Sequence, residues 1–175
     1  MDLLEQSDET RFLGRDFLTW LWFRSETDGV FESDALGRFH VVLADRIELS
    51  ADSADDPETV IVRGTGHEIF EARIALSRGK AVSRAVFRLS NEGDEWVMTL
   101  DDTWLSPRSL KIPKVLPPEE EPDREGMLLE RVYLIERSIA MLDALAKTFI
   151  TLRTSAEWEK KTLPAVRDWI KTAIG

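Results

Sequence analysis

The chain has 175 residues, no cysteine and a formal net charge of -10, with Asp+Glu 33 against Lys+Arg 23. That length fits one domain, or one domain with a helical appendage, and it can bury a sizeable core without a covalent staple. The missing cysteines exclude a disulfide framework, a thiol nucleophile and Cys-ligated zinc, and the acidic balance is opposite in sign to the usual footprint of a non-specific nucleic-acid binder.

The charge is unevenly spread. Residues 1–59 hold 5 basic and 15 acidic side chains, residues 60–114 hold 9 and 7, and residues 115–175 hold 9 and 11. Within the middle third, Arg63, Arg73, Arg78, Lys80, Arg84 and Arg88 meet only Glu68 and Glu71 before Glu92. Such a segment is more often a solvated mixed-charge face than a phosphate-contacting patch, and both readings stand. The N-terminus, MDLLEQSDE, lacks the basic start and apolar run of a signal peptide, and no stretch approaches a membrane span, so no membrane partner and a cytoplasmic location are expected.

In chain order, a first helix is expected from Thr10 or Gly14 to Arg24, with Ser7, Asp8 and Thr10 as caps and Gly29 as its stop. Leu13, Phe17, Leu18 and Leu21 make its core face, Trp20 and Phe23 widen it, and Trp22 points nearly opposite. Trp22, with Arg15 and Arg24 nearby, is therefore the candidate contact surface, either as an exposed anchor or packed under a second element. SETDGVFESDALG, residues 25–37, reads as a loop.

A hairpin is expected next, with Phe39, Val41 and Leu43 alternating in one strand, Ile47 and Leu49 in the other, and Ala44-Asp45-Arg46 as the turn. An acidic loop, SADSADDPE, leads to a short strand at Val60, Ile61 and Val62. GHEIFEARIALSRG then predicts a helix with Ile69, Phe70, Ile74 and Leu76 on its buried side and Gly79 beyond its C-terminus. AVSRAVFRLS and EWVMTL flank Asn91-Glu92-Gly93-Asp94 as a second hairpin. Trp104 to Val115 is an irregular connector, and residues 117–125, PPEEEPDRE, are a stiff acidic linker.

Beyond it a long helix is expected from Glu125 to Ser155. Leu128, Val132, Ile135, Ile139, Leu142, Ala146 and Phe149 step alternately by four and three as a heptad seam, and Leu134, Met141, Leu145 and Leu152 form a second stripe. Thr162 and Pro164 restart a short terminal helix carrying Leu163, Val166, Trp169 and Ile170. The fold class that follows is α+β: a mostly antiparallel sheet of hairpins, with the long C-terminal helix and the aromatic-rich N-terminal helix packed on one face. Residues 1–116 form the α+β region, and residues 126–175 form a helical region packing back on it.

Chemistry is sparsely signalled. His40 and His67 lack metal-ligand spacing, Gly64-Thr65-Gly66 lacks a third glycine or a P-loop lysine, and no serine sits in a nucleophile elbow. Asp101 and Asp102 at a strand end suit Mg2+, yet adjacent carboxylates are more often a solvated strand terminus. No catalytic residue, metal or cofactor is assigned, and a Mg-dependent enzyme stays a minor alternative. The six tryptophans, at 20, 22, 96, 104, 158 and 169, are more often core than base-stacking platforms in a chain of this size.

GRDFLTWLWFRSE (14–26), EARIALSRGK (71–80), SLKIPKV (109–115), LLERVYLIERSIAMLDAL (128–145) and TSAEWEKKTLPAVRDWI (154–170) together resemble the C-terminal region of long RdgC-like recombination-associated proteins, in the same order over most of the chain. The resemblance does not reach that family's N-terminal DNA-encircling region, so no family DNA-contact residue is carried over. It implies a non-enzymatic module of DNA recombination or replication that binds duplex DNA or a recombination protein in the cytoplasm, at the nucleoid. Arg73, Arg78, Lys80, Arg84 and Arg88 are the expected phosphate contacts. The alternative is a protein-interaction or oligomerisation module, forming a homo-oligomer through the long helix without touching nucleic acid.

Overall fold

The computed structural model describes residues 12–51, 59–64, 67–103, 107–116 and 124–173. Ser7, Asp8, Thr10, Trp104, most of the acidic linker and the side chains of Leu13 and His67 lie outside the described residues. Within them, β1 (Val30–Ser33), β2 (Gly37–Ser50), β3 (Thr59–Arg63), β4 (Ala81–Asn91), β5 (Asp94–Asp101) and β6 (Ser109–Lys111) form one antiparallel sheet. The order is β1-β2-β4-β5-β6, and β3 pairs with the far end of β2, so β1 and β3 share one edge of that strand end to end. Helices α1 (Phe17–Thr27), α2 (His67–Ser77), α3 (Arg124–Arg153) and α4 (Leu163–Lys171) complete an α+β fold.

The expected hairpin at residues 39–49 is instead one continuous strand. Odd-numbered Phe39, Val41, Leu43, Ile47 and Leu49 are buried on both sides of Ala44-Asp45-Arg46, where the alternation is interrupted, with Ala44 buried and Asp45 exposed. Leu43 pairs with Phe87 and Ile47 with Ala85, so three β2 residues face one β4 residue. The surplus bends β2 as a bulge without ending it, and the Asp45 carbonyl accepts the Gly64 amide of β3's end at 2.9 Å. Two strands lie in segments whose sequence reads as irregular. β1 lies among turn-forming residues and β6 spans three residues between Pro107 and Pro113, and both are ordered by pairing with a longer neighbour.

The β4–β5 hairpin matches its sequence signal: Asn91 pairs with Asp94, and the central Glu92 and Gly93 have φ of 53° and 94°, the left-handed pair that a tight two-residue turn requires. Asn91 also ties the turn down. Its Nδ2 donates to the Leu36 and Arg38 carbonyls at 3.2 and 2.9 Å, and its Oδ1 accepts from the Arg137 guanidinium of α3.

The core lies between one sheet face and the helices. Trp20, Trp22, Trp96, Phe17, Phe39, Phe87 and Phe149 are fully buried in it, each contributing about 2 to 3 kcal/mol of transfer free energy. α1 starts after a π-helical turn, Phe12–Asp16, in which Gly14 lies against the Asp102 backbone; a Cβ there would sit 2.0 Å from the Asp102 carbonyl oxygen. The buried side of α2 differs from the expected one: Ala72 and Ala75 face the sheet, Ile69 and Leu76 flank them, and Phe70 is exposed. Small side chains let this helix approach the strands closely, which leaves the larger Phe70 outside.

α3 turns the second of its two apolar stripes inward. Leu134, Ser138, Met141, Leu145 and Phe149 are buried, and the Leu134 carbonyl accepts the Trp96 indole N–H at 2.9 Å. At 3.6 residues per turn this stripe lies about 100° from the heptad seam. Only one stripe fits against the sheet, so the first four seam residues remain on the surface.

Candidate nucleic-acid interface

Because side chains alternate along a strand, the sheet face opposite the helices collects Val42, Arg46 and Glu48 of β2 and Arg84, Val86 and Arg88 of β4, while Ala44 and Val82, beside the register shifts, are buried. Register then sets their neighbours. Arg88 of β4 pairs with Val42 on one side and Val97 on the other, and Val97 pairs with Lys111. In the adjacent row Val86 faces Thr99, which faces Ser109; their hydroxyls lie 2.8 Å apart. On the other flank Arg46 of β2 pairs with Arg63 of β3. These rows surround a shallow depression of about 600 Å³ lined by Arg46, Arg63, Val86, Val97, Thr99, Ser109 and Lys111.

Glu48 sets the electrostatics at one end. Its nearly buried carboxylate takes Arg46 on one oxygen at 2.5 Å and Arg84 on the other at 3.4 Å, so one negative charge faces two guanidiniums. Arg63 and Lys111 have no ion pair among the described residues. Asp45, at the rim, is the opposing charge. Arg88 pairs with Glu95 at 3.3 Å with both side chains about half exposed, a contact worth little in water. Cations and hydroxyl donors around a depression that no described helix covers suit a polyanion approaching across strands.

The five basic residues named from sequence do not form one patch. Arg84 and Arg88 are on this open face. Arg78 and Lys80 are at the end of α2, where the Lys80 amide donates to the Ala75 carbonyl at 3.1 Å and the Gly79 amide to Leu76 at 3.0 Å, closing a Schellman turn with Gly79 at φ 88°. Arg73 is a structural latch: only 18% of its side chain is exposed, it covers the rings of Phe70 and Trp169, and it lies 3.8 Å from Glu26. Its place on a helix facing α4 removes it from the sheet face. Sequence reasoning misses Arg46 and Lys111, the first inside an expected turn and the second inside an expected connector. The recoverable signal is the burial of odd-numbered Leu43 and Ile47 on either side of the bulge, which keeps the even-numbered Arg46 off their face.

Trp22 is not an exposed anchor. It is fully buried beneath α4, edge-on to Trp169 at 4.9 Å, because α1 is enclosed on both sides. Its two arginine neighbours are engaged locally: Arg15 Nε donates to Asp102 at 2.9 Å, and Arg24 pairs with Asp28 at 2.9 Å while lying over the Phe31 ring. Asp101 is buried and bound by Arg108, with the Thr103 amide on its other oxygen. The Asp101-Asp102 pair is therefore held by two arginines from different segments, and no group of three or more potential metal-ligating side chains gathers among the described residues. No helix among the described residues is long and apolar enough to cross a membrane. The chain matches no protein-family model and no curated protein.

Proposed function

We propose that this chain is a non-enzymatic module related to the RdgC-like recombination-associated proteins, acting in DNA recombination or replication by holding duplex DNA on the open face of its sheet. The observation that carries this reading is the convergence of Arg46, Arg63 and Lys111 with the Thr99 and Ser109 hydroxyls around one depression, in a chain whose net charge is -10. The acidic remainder repels the duplex from other surfaces, so binding is confined to this face and is weak and salt-dependent. Phosphate oxygens are the ligands. Among the described residues the depression has cations and hydroxyls to meet them but no aromatic side chain to stack a base, which favours backbone contact over sequence readout.

Fluorescence anisotropy with a labelled duplex tests this, titrated between about 50 and 200 mM salt. Affinity is expected to fall steeply with salt. Arg63→Glu and Lys111→Glu, both on the surface, are expected to weaken binding and to lower the salt slope by about 1 for each phosphate no longer neutralised. Absence of duplex binding at the lowest salt, or binding unchanged by either variant, overturns the reading. The contrasting interaction-module reading is favoured by a different feature, the uncovered apolar stripe of α3.

A further inference from the structure

α3 carries its heptad seam in the open. Leu128, Val132, Ile135 and Ile139 are 60%, 45%, 40% and 61% exposed, and no residue from 124 to 133 is buried. Among the described residues no element buries this apolar side, and a helical extension left so is marginal in water, since most helical stability in proteins comes from packing such a face. The exposed residues follow one another by four, three and four, the spacing that keeps a seam facing a second helix and not a sheet. The Leu134 stripe already occupies the sheet, so among the described residues the seam is left exposed to solvent.

We propose that this stripe pairs with the same stripe of a second copy of the chain, as a short parallel two-helix coil. In heptad terms Leu128 and Ile135 take d positions and Val132 and Ile139 take a positions. The flanking positions then argue for a self-partner and for its direction. Arg131 falls at g and Glu136 at e, five residues on, so in a parallel pair Arg131 of each copy faces Glu136 of the other and the ion pair forms twice across the two-fold axis. Antiparallel pairing sets g against g and e against e. The g positions hold Arg124, Arg131 and Ser138 and the e positions Leu129, Glu136 and Asp143, so Arg131 and Glu136 then never meet an opposite charge. The seam lies about 100° around the helix from the stripe buried on the sheet, which leaves both sheets, and both open faces, clear of the coil.

Sedimentation equilibrium of the full chain, from micromolar to millimolar concentration, is expected to reach twice the chain mass of 20.0 kDa. The double variant Val132→Asp with Ile139→Asp removes only exposed side chains; it is expected to stay at the monomer mass with an unchanged circular dichroism spectrum. Direction is read by Leu128→Cys, since the chain has no cysteine of its own. In a parallel coil the two introduced thiols share one layer and oxidise to a covalent dimer; in an antiparallel coil centred on the stripe they lie about 16 Å apart along the axis and do not. A wild-type chain that stays monomeric at the highest concentration, as when a different partner or another segment of the same chain covers the stripe, overturns the proposal. So does a dimer that survives the double variant, or a dimer whose Leu128→Cys form does not cross-link.

Discussion

Trp22 and Trp169, 147 residues apart, donate their indole N–H groups to the two oxygens of one carboxylate. Trp22 reaches Glu26 Oε1 at 2.7 Å and Trp169 reaches Oε2 at 2.9 Å, while the rings meet edge to face at 88°. Arg73 stands behind the same oxygen at 3.8 Å. One acidic side chain at the end of α1 thus joins α1, α2 and α4, and it allows two tryptophans to be buried with their polar atoms satisfied. Glu26→Ala is expected to lower unfolding free energy by about 2 kcal/mol, since both donors are left without a charged acceptor. Glu26→Gln, which keeps one carbonyl acceptor, is expected to cost less. Urea denaturation followed by tryptophan fluorescence checks the order, and equal stability of Glu26→Ala and wild type contradicts it.

This latch also marks what is legible in the sequence. The amphipathic pattern of residues 14–24 announces a helix and its primary face, but Trp22 looks like an outlier because the element that covers it, α4, begins 141 residues later. The same limit applies to α3, where two stripes of similar quality are visible and only the sheet, through Trp96 and its hydrogen bond to Leu134, decides which is buried. The β4–β5 hairpin is legible because alternation and turn chemistry agree within about twenty residues. The open-face site is half legible. Arg84 and Arg88 stand in an alternating strand, but Arg46, Arg63 and Lys111 become their neighbours only through cross-strand register, which no local pattern specifies.

Gly14 and Asp102 offer a sharper test of how α1 is seated. A methyl group on Gly14 has no space, because the Asp102 carbonyl lies 2.0 Å from where its carbon would be and neither backbone can yield independently. Arg15 is fixed to the Asp102 carboxylate in the same place, at 2.9 Å. Gly14→Ala is therefore expected to cost about 3 kcal/mol, the upper part of the overpacking range, measured as a lowered urea midpoint with an unchanged slope. Arg15→Ala, which breaks a partly exposed ion pair, is expected to cost about 1 kcal/mol or less.

Glu48 separates stability from binding. Its carboxylate, only 10% exposed, is shared by Arg46 and Arg84 at the edge of the proposed DNA face. Removing the charge leaves two guanidiniums without a charged acceptor, which destabilises the fold, yet it also raises the positive potential of that face. Glu48→Gln is expected to lower the melting temperature while tightening duplex binding and steepening its salt dependence. A variant that loses stability and affinity together argues that Glu48 acts on DNA only by holding the sheet in shape.

Asp16, at the start of α1, gives the fold a pH signature. Burial raises its carboxyl above the usual value of 3.8, and Arg153, 3.4 Å away, pulls in the other direction without cancelling the effect. The folded chain therefore holds this proton to a higher pH than the unfolded chain does. Between 3.8 and the raised value the folded state binds more protons at this site, so its contribution to stability falls as pH rises through that window and is restored on acidification. The charged form costs stability at neutral pH, the reverse of a carboxylate whose pKa is depressed by an ion pair. An NMR titration of the Asp16 side-chain carbon is expected to give a midpoint above 3.8. Arg153→Gln is expected to move it higher still, because only the opposing influence is removed. A midpoint at or below the usual value, or a downward shift in the Arg153 variant, overturns the assignment of burial as the dominant cause.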